Sequence, residues 1–250
     1  MCTRIRCPVC PVLLSKRTSV TKQWRAVLAS RDDMQLHTGR IVVAESSMDA
    51  MTLSYADMGL AKEVLYGLYR DSAARGMPNI PCQNEDGTPN MECMDGFTSG
   101  TPPTHGQPIF VIHSIFQRDG DVVWLAKMYP LIAGYLDFWL ENRTDSGGYQ
   151  IAMCSWESGQ DNSRRWGWSD PENVDGVPGP LGGNGVIGGQ VYGGDRSTRS
   201  IRAPELQAAM AYSAGVMAAF AKVLHKLDDL PKWRRVVEKH VHLTNIQSLP

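Results

Sequence analysis

The segment SWESGQDNSRRW, residues 155–166, concentrates acidic, basic and aromatic side chains around a single glycine. Glu157 and Asp161 lie four positions apart, and the adjacent Arg164 and Arg165 follow them. Aspartate and serine are ordinary turn residues, so the simplest interpretation is a polar loop. The closeness of acids and arginines favours instead a partly buried place in which these charges pair with one another.

Tryptophans distinguish this segment from an ordinary loop. Trp156 and Trp166 bound it, and Trp168 follows shortly afterwards. Large aromatic rings are costly to leave in water, and their faces pack well against the apolar face of a sugar. Acids and fork-shaped guanidinium groups bind hydroxyl groups through strong hydrogen bonds. Together these residue types indicate a site for a sugar or another polyol.

The composition sets wide limits on function. The chain has 250 residues, of which 42% are hydrophobic, enough to bury a substantial core. Its formal net charge of −1 disfavours a general nucleic-acid binder and leaves a neutral ligand such as a sugar open. No apolar run approaches the roughly 18 residues that a transmembrane helix needs. We therefore expect neither nucleic acid nor a membrane among its partners.

The first residues bear on the cellular compartment. Early arginines precede a short apolar stretch, as in secretory signals, but Pro8 and Pro11 interrupt it. A cytoplasmic location is therefore favoured, with a secretory route open if the N-terminus is incomplete. Cys7 and Cys10 form a C-x-x-C pair without the further ligands that a structural zinc site requires. We expect the six cysteines to be reduced.

Hydrophobic periodicity predicts a mainly helical chain with two long polar loops. A helical pattern begins near Ser46 and is broken into two helices by Gly59, whereas residues 1–44 form an irregular segment. The other expected helices cover 108–117, 122–143 with a kink at Pro130, 203 to about 227, and a last one opened by Pro231. Clusters of Pro, Gly, Asn and Asp predict loops over 76–107 and 169–200.

Two other patterns carry no site. Gly183, Gly185 and Gly188 match G-x-G-x-x-G, but the surrounding pattern lacks the strand and helix that dinucleotide binding requires. The histidines lack metal-binding spacings, and His240 and His242 are expected at the surface. We therefore expect no metal site.

Residues 157–166, ESGQDNSRRW, resemble the signature E-S-G-x-D-N-S-P-R-[WF] of glycoside hydrolase family 63 and its mannosylglycerate hydrolase-like relatives. The trehalases share the related form E-S-G-W-D-x-S-S-R-W. Further similarities follow in the family's order: Ser47-Met48-Asp49 to W-D-[ST], Gly106-Gln107-Pro108 to S-Q-P-P, residues 129–139 to L-P-x-L-x-x-x-x-x-F-W, and residues 203–208 to P-V-D-L-N-A. The resemblance extends over about residues 45–228.

This resemblance implies an all-α fold, the (α/α)6 barrel of six-hairpin glycosidases, with the site in the loops at one end. It implies an inverting hydrolase that uses two carboxyl groups to cleave an α-linked glucose or a related small α-glycoside. Asp161 matches the general acid, whose pKa must be raised for it to stay protonated, and Glu157 is expected to fix the loop. No metal or organic cofactor is implied. Positions that shape or contact the sugar are matched by Asp49, Gln107, Trp156, Arg165 and Trp166.

The departures from the family pattern bear on activity. Met48 stands where the family usually has tryptophan, and Arg164 where it has proline. The family's general base lies downstream of the motif at 203–208, where Glu238 is the late carboxylate on offer. Because the helices of a closed barrel need roughly 300–400 residues, we expect residues 45–250 to form a partial catalytic domain. Such a domain would expose apolar helix faces and self-associate.

The alternatives differ in class. A catalytically inactive fragment or pseudo-enzyme would bind carbohydrate without cleaving it, which a missing base favours. A trehalase-like enzyme would share the signature, although Asn162 and Ser163 after Asp161 favour family 63. A helical-repeat scaffold would show a regular period of about 34–47 residues, and the sequence has none.

Overall fold

A computed structural model describes residues 42–84, 87–89, 97–159, 185–187, 190–192, 199 and 201–247. Within these residues the regular structure is helical apart from one short β-hairpin, which confirms the expected all-α class. The helices are α1 (Val43–Leu53), α2 (Met58–Ala74), α3 (Pro108–Asp119), α4 (Val122–Asn142), α5 (Ser155–Ser158), α6 (Pro204–Val223) and α7 (Leu230–Gln247), with a 3-10 turn at Leu227–Asp229.

Local capping sets where the helices near the start of the chain begin and end. The Asp57 side chain accepts a hydrogen bond from the backbone nitrogen of Leu60 at 2.9 Å, which caps the start of α2. The predicted break at Gly59 is therefore wrong, because α1 ends at Leu53 and Gly59 lies in the first turn of α2. Pro108 occupies the first position of α3, where the N–H that proline lacks would have no helical partner.

Two later boundaries also differ from the predicted pattern. Helix α6 ends at Val223 rather than near Leu227, and His225 just beyond it adopts a left-handed backbone with φ of 55°. Residues 185–187 and 190–192 pair as antiparallel strands β1 and β2, inside the region predicted to be a loop. The abundant glycines of that region therefore concealed a short hairpin.

The six longer helices pack as three consecutive pairs: α1 with α2, α3 with α4, and α6 with α7. The first helices of the pairs form a row, in which α1 packs against α3 and α3 against α6. A shared hydrophobic core includes Leu65, Ile112, Trp139, Met217 and Trp233, all nearly inaccessible to solvent. Burying one large aliphatic side chain in this way stabilises the fold by about 1.5–3 kcal/mol.

The starts of α1, α3 and α6 lie at the same end of the molecule, which we call the loop end. A Cβ atom on Gly106, just before α3, would overlap the backbone of Ala44 in α1. Gln107 and Glu205, at the starts of α3 and α6, line a common cavity. The long connections that follow α2 and α4 return the chain to this end. Three helix pairs side by side match part of an (α/α)6 barrel, and closure of that barrel stays a prediction.

Several apolar side chains are exposed on the row of first helices, among them Met48, Phe110 and Tyr212. The predicted self-association would act through exposed apolar side chains of this kind. It stays a prediction. Within the described ranges, no helix combines the length and the apolar character needed to cross a membrane.

Candidate functional site

Helix α5, at the loop end, contains the first residues of the segment 155–166, which we call the acidic and tryptophan-rich segment. It is a single turn that spans Ser155–Ser158. Asp161, Arg165 and Trp166 lie outside the described residues, as does the side chain of Trp156. The roles expected for these four residues stay predictions.

Glu157 is fully buried, and hydrogen-bond donors surround its carboxylate. Its Oε1 accepts from the backbone nitrogen of Gly100 at 2.8 Å, and its Oε2 accepts from that of Met153 at 2.7 Å. The Nε of Arg143 lies 3.0 Å from both oxygens. A carboxylate engaged by three donors has little capacity left to activate water, which agrees with a role in fixing the loop.

The ion-pair partner of Glu157 comes from a distant element. Arg143 directly follows α4, is buried, and places its guanidinium carbon 4.8 Å from the centre of the Phe138 ring. The sequence suggested pairing of Glu157 with the nearby Arg164 and Arg165. Among the described residues the partner is instead Arg143, because the fold brings the end of α4 against α5.

Two further residues of the segment contact the loop before α3. Ser158 lines a small cavity together with Thr104. A Cβ atom on Gly159 would lie 2.6 Å from Cγ of His105, and the backbone of Gly159 is left-handed with φ of 68°. Only glycine fits both conditions without strain. The loop that leads to Gln107 is therefore built against α5.

A larger cavity of about 410 Å³ opens between α3 and α6. This volume is within the range of about 300–1,000 Å³ that is usual for small-molecule sites. The polar residues that line it are Thr104, Gln107, Glu205 and Ser213. Thr104 and Glu205 also line the small cavity next to Ser158. The structure therefore places Gln107, which the sequence singled out, beside the segment that holds α5.

Gln107 is held in an uncommon backbone conformation, with φ of 46° and ψ of 52°. A left-handed residue with a Cβ atom, here followed by Pro108, costs about 1–3 kcal/mol and persists only where its surroundings fix it. Asp49, by contrast, lies partly exposed on α1 and is not among the residues that line this cavity. Of the site residues predicted from the sequence, the described structure thus gathers Gln107 and Glu157 at the loop end.

Two aromatic rings form part of the apolar wall of the cavity. Phe110 and Tyr212 lie 6.5 Å apart between ring centres and are 45% and 43% exposed. The hydroxyl of Tyr212 is 3.1 Å from Nδ1 of His113. Partial burial lowers the pKa of His113 and raises the pKa of Tyr212, so both side chains are neutral near pH 7. The sequence pattern did not predict this wall, although Phe110 lies one helical turn beyond Gln107 and this spacing was the signal that could have indicated it.

A chain of buried polar side chains supports the loop end from α7. Nδ1 of His240 lies 3.1 Å from Oε1 of Gln207, whose amide nitrogen donates to the backbone oxygen of Gln150 at 2.8 Å. Gln150 in turn donates to the Thr144 hydroxyl at 2.6 Å. The prediction that His240 is a surface residue is wrong, because it is fully buried. His240 lies two helical turns beyond the buried Trp233, and this spacing could have predicted that His240 is buried.

The structure describes two of the cysteines, and they differ in redox state. Cys154, directly before α5, is disulfide-bonded, whereas Cys82 is buried and keeps its thiol. The expectation of reduced cysteines is therefore wrong for Cys154, because pairing depends on proximity in the fold, which spacing along the chain does not show. In the part of the chain that the structure describes, His, Cys, Asp and Glu form no group of three that could hold a metal ion.

Comparison with known proteins adds one family match to this geometry. Residues 40–245 match the model of the mannosylglycerate hydrolase MGH1-like glycoside hydrolase domain. No curated protein and no solved structure gave a match. The matched range includes the whole acidic and tryptophan-rich segment and extends from α1 into α7.

Proposed function

The chain belongs to the MGH1-like glycoside hydrolase family, and from this membership we propose that it hydrolyses an α-linked glucoside or a related small α-glycoside with inversion of configuration. The observation that supports a working site is the anchoring of α5. Glu157, Arg143 and Gly100 hold the start of the signature against the loop that leads to Gln107. Catalysis by positioned carboxyl groups requires this kind of fixed geometry.

In the proposed reaction, the Asp161 carboxyl group donates its proton to the glycosidic oxygen of the leaving group. A second carboxylate removes a proton from the water molecule that attacks the anomeric carbon from the opposite face of the sugar. The bond to the leaving oxygen breaks as the bond to the water oxygen forms, so the configuration inverts. Asp161 must keep its proton at the working pH, which desolvation by neighbouring tryptophans would favour.

The described carboxylates differ in how well they could serve as the second carboxylate. Glu157 is already engaged by three donors. Glu238 is exposed on α7 and does not line the cavity between α3 and α6. Glu205 does line that cavity. Glu205 and Glu238 are therefore the two positions to vary in parallel, with the role of general base given to neither in advance.

The test is hydrolysis of a small panel by the purified chain. The panel contains α-linked glucose disaccharides, trehalose and mannosylglycerate, and proton NMR records which anomer of the released sugar forms first. We expect turnover of an α-glucoside with the β-anomer formed first, and its loss in Asp161→Asn. Glu205→Gln and Glu238→Gln are run beside it, because the general base is the position whose loss also abolishes turnover.

Three results would count against this proposal. Initial release of the α-anomer would contradict inversion. Full activity of Asp161→Asn would remove the proposed acid. Absence of turnover from a chain shown to be folded by circular dichroism would contradict hydrolysis and leave carbohydrate binding without cleavage as the function to pursue.

A further inference from the structure

Cys154 lies directly before α5 and is disulfide-bonded. It is inaccessible to solvent, and its backbone oxygen accepts hydrogen bonds from the nitrogens of Glu157 at 3.1 Å and Ser158 at 3.2 Å. The disulfide is therefore attached to the turn that begins the acidic and tryptophan-rich segment. The identity of its partner decides which other part of the chain is held there.

Few cysteines could be this partner. Of the six cysteines, Cys82 keeps its thiol. The remaining ones lie outside the described residues and are Cys2, Cys7, Cys10 and Cys93. A disulfide requires Cα atoms about 4.4–6.8 Å apart, so the partner must belong to a segment that the fold brings beside Cys154.

The Glu157 carboxylate brings a second segment next to Cys154. One of its oxygens accepts from the backbone nitrogen of Gly100 at 2.8 Å, and the other accepts from that of Met153 at 2.7 Å. Because Met153 immediately precedes Cys154, the chain around Gly100 passes close to the disulfide. The connection that follows α2 therefore lies against the connection that follows α4 at this point.

A second contact extends this approach to the residues before Gly100. Nε of Arg199 donates to the backbone oxygen of Met153 at 2.9 Å. The guanidinium carbon of the same arginine lies 5.3 Å from the centre of the Phe97 ring. The chain that leads into Phe97 is therefore held near Met153 as well.

The length of chain between each candidate and the nearest described residue favours Cys93. Cys93 precedes Phe97 by four residues, so it lies within about 14 Å of Phe97 even if the chain between them is fully extended. Cys10, the last of the three cysteines near the N-terminus, precedes Val42 by 32 residues. Since effective concentration falls roughly as the −3/2 power of tether length, the shorter tether favours Cys93 by roughly 20-fold.

We propose that Cys154 is bonded to Cys93, and that this disulfide ties the two long connections of the loop end together beside Glu157. Formation of the S–S bond removes one proton from each thiol and two electrons in all, which a small-molecule disulfide takes up as it is reduced to two thiols. Structural disulfides persist in oxidising compartments and are rare in the cytosol. We therefore expect the chain to work in an oxidising compartment, whereas its first residues favoured the cytoplasm. The proposal goes beyond the proposed hydrolysis and does not depend on it.

The direct test is a disulfide map of the whole chain, purified without reductant. Free thiols are blocked with iodoacetamide, and the unfolded chain is digested with trypsin and glutamyl endopeptidase. Glu85 and Glu92 lie between Cys82 and Cys93, so this digestion separates the two cysteines. We expect mass spectrometry to find a pair of peptides that joins Cys93 to Cys154 and is lost on reduction. A free thiol at Cys154, or its linkage to a cysteine within residues 1–44, would overturn the proposal.

Thermal unfolding measures what the disulfide contributes to stability. A disulfide that closes a long loop restricts the unfolded chain, so Cys93→Ser should lower Tm by about 5–15 °C. Dithiothreitol present during heating should lower the Tm of the parent chain by a similar amount and leave that of Cys93→Ser unchanged. Cys82→Ser is the matched control, because it removes a buried thiol and should keep the response to dithiothreitol. A response that survives in Cys93→Ser would contradict the pairing.

Hydrogen exchange tests the effect on α5 itself. The backbone N–H groups of Glu157 and Ser158 donate to the Cys154 oxygen, so we expect them to exchange several-fold faster in Cys93→Ser. A peptide from the start of α2, at the opposite end of the molecule, should exchange as in the parent chain. Equal exchange at α5 in both chains would refute the positioning of this segment by the disulfide. None of these measurements uses a substrate, so their outcome is independent of whether a glycoside is hydrolysed.

Discussion

Replacing Glu157 with glutamine removes the charge of the buried ion pair while nearly preserving the shape of the side chain. In the folded chain one carboxylate oxygen faces the backbone nitrogen of Gly100 and the other that of Met153, and Nε of Arg143 lies between them. A glutamine side chain has one acceptor oxygen and one NH₂ group. In either orientation, therefore, at least one donor would face another donor.

The magnitude follows from the burial of the partner. The Arg143 side chain is only 5% exposed, so its charge would lose its counter-ion in a place that water does not reach. Breaking a buried pair by removing one partner costs about 3–5 kcal/mol. Because domains of this size are stable by about 5–15 kcal/mol in total, Glu157→Gln should remove a large part of the free energy of unfolding.

Urea unfolding followed by circular dichroism measures this loss. The control is Arg202→Gln, which breaks the 2.7 Å ion pair with Asp145 at the same end of the molecule. Since the Arg202 side chain is 46% exposed, its loss should cost no more than about 1 kcal/mol. If Glu157→Gln costs no more than this control, the anchoring of α5 by Arg143 is refuted as a source of stability.

Three further predictions concern stability. Burial, together with the charge of Lys239, lowers the pKa of His240 to about 4 in the folded chain. The His240 side chain therefore stays neutral in the folded chain at pH values where, in the unfolded chain, it takes up a proton with its ordinary pKa of 6.5. Stability should be complete above pH 6.5 and fall by about 3 kcal/mol as the pH drops to 4, and urea titrations of the parent chain and His240→Gln should show a weaker pH dependence in the variant. Gly159→Ala should lower the melting temperature, because its Cβ atom would meet the His105 ring. Gly106→Ala should lower it more than Gly120→Ala, since both glycines are left-handed but only Gly106 faces backbone atoms of α1.

Helix positions were predictable because their signals are local. Pro108 and Pro204 mark helix starts by chemistry that acts within one turn, and the structure places α3 and α6 at those residues. The break after α1 was misplaced for a related reason. Glycine weakens a helix interior, but the cap formed by Asp57 decides where α2 begins, so Gly59 falls inside the helix.

Contacts between distant elements were not predictable from one sequence. Two arginines next to Glu157 suggested a local ion pair, whereas the described partner, Arg143, lies at the end of another helix. The burial of His240 depends in the same way on Gln207, which belongs to α6. Spacing along the chain predicts which face of a helix is apolar. It does not show which polar side chain of a neighbouring helix will lie against that face.

The unequal connections between the helices argue for the loop end as the functional end. At the opposite end, short connections join the two helices within each pair, at residues 54–57, 120–121 and 224–229. At the loop end the chain inserts residues 75–107 and 143–203 between successive pairs. Long polar connections are uncommon in compact domains unless they carry function, and a helical-repeat scaffold would have no reason to place them at one end only. Since the short turns cannot bring several side chains to one cavity, we expect a ligand to be recognised at the loop end, near α5, Gln107 and the α3–α6 cavity.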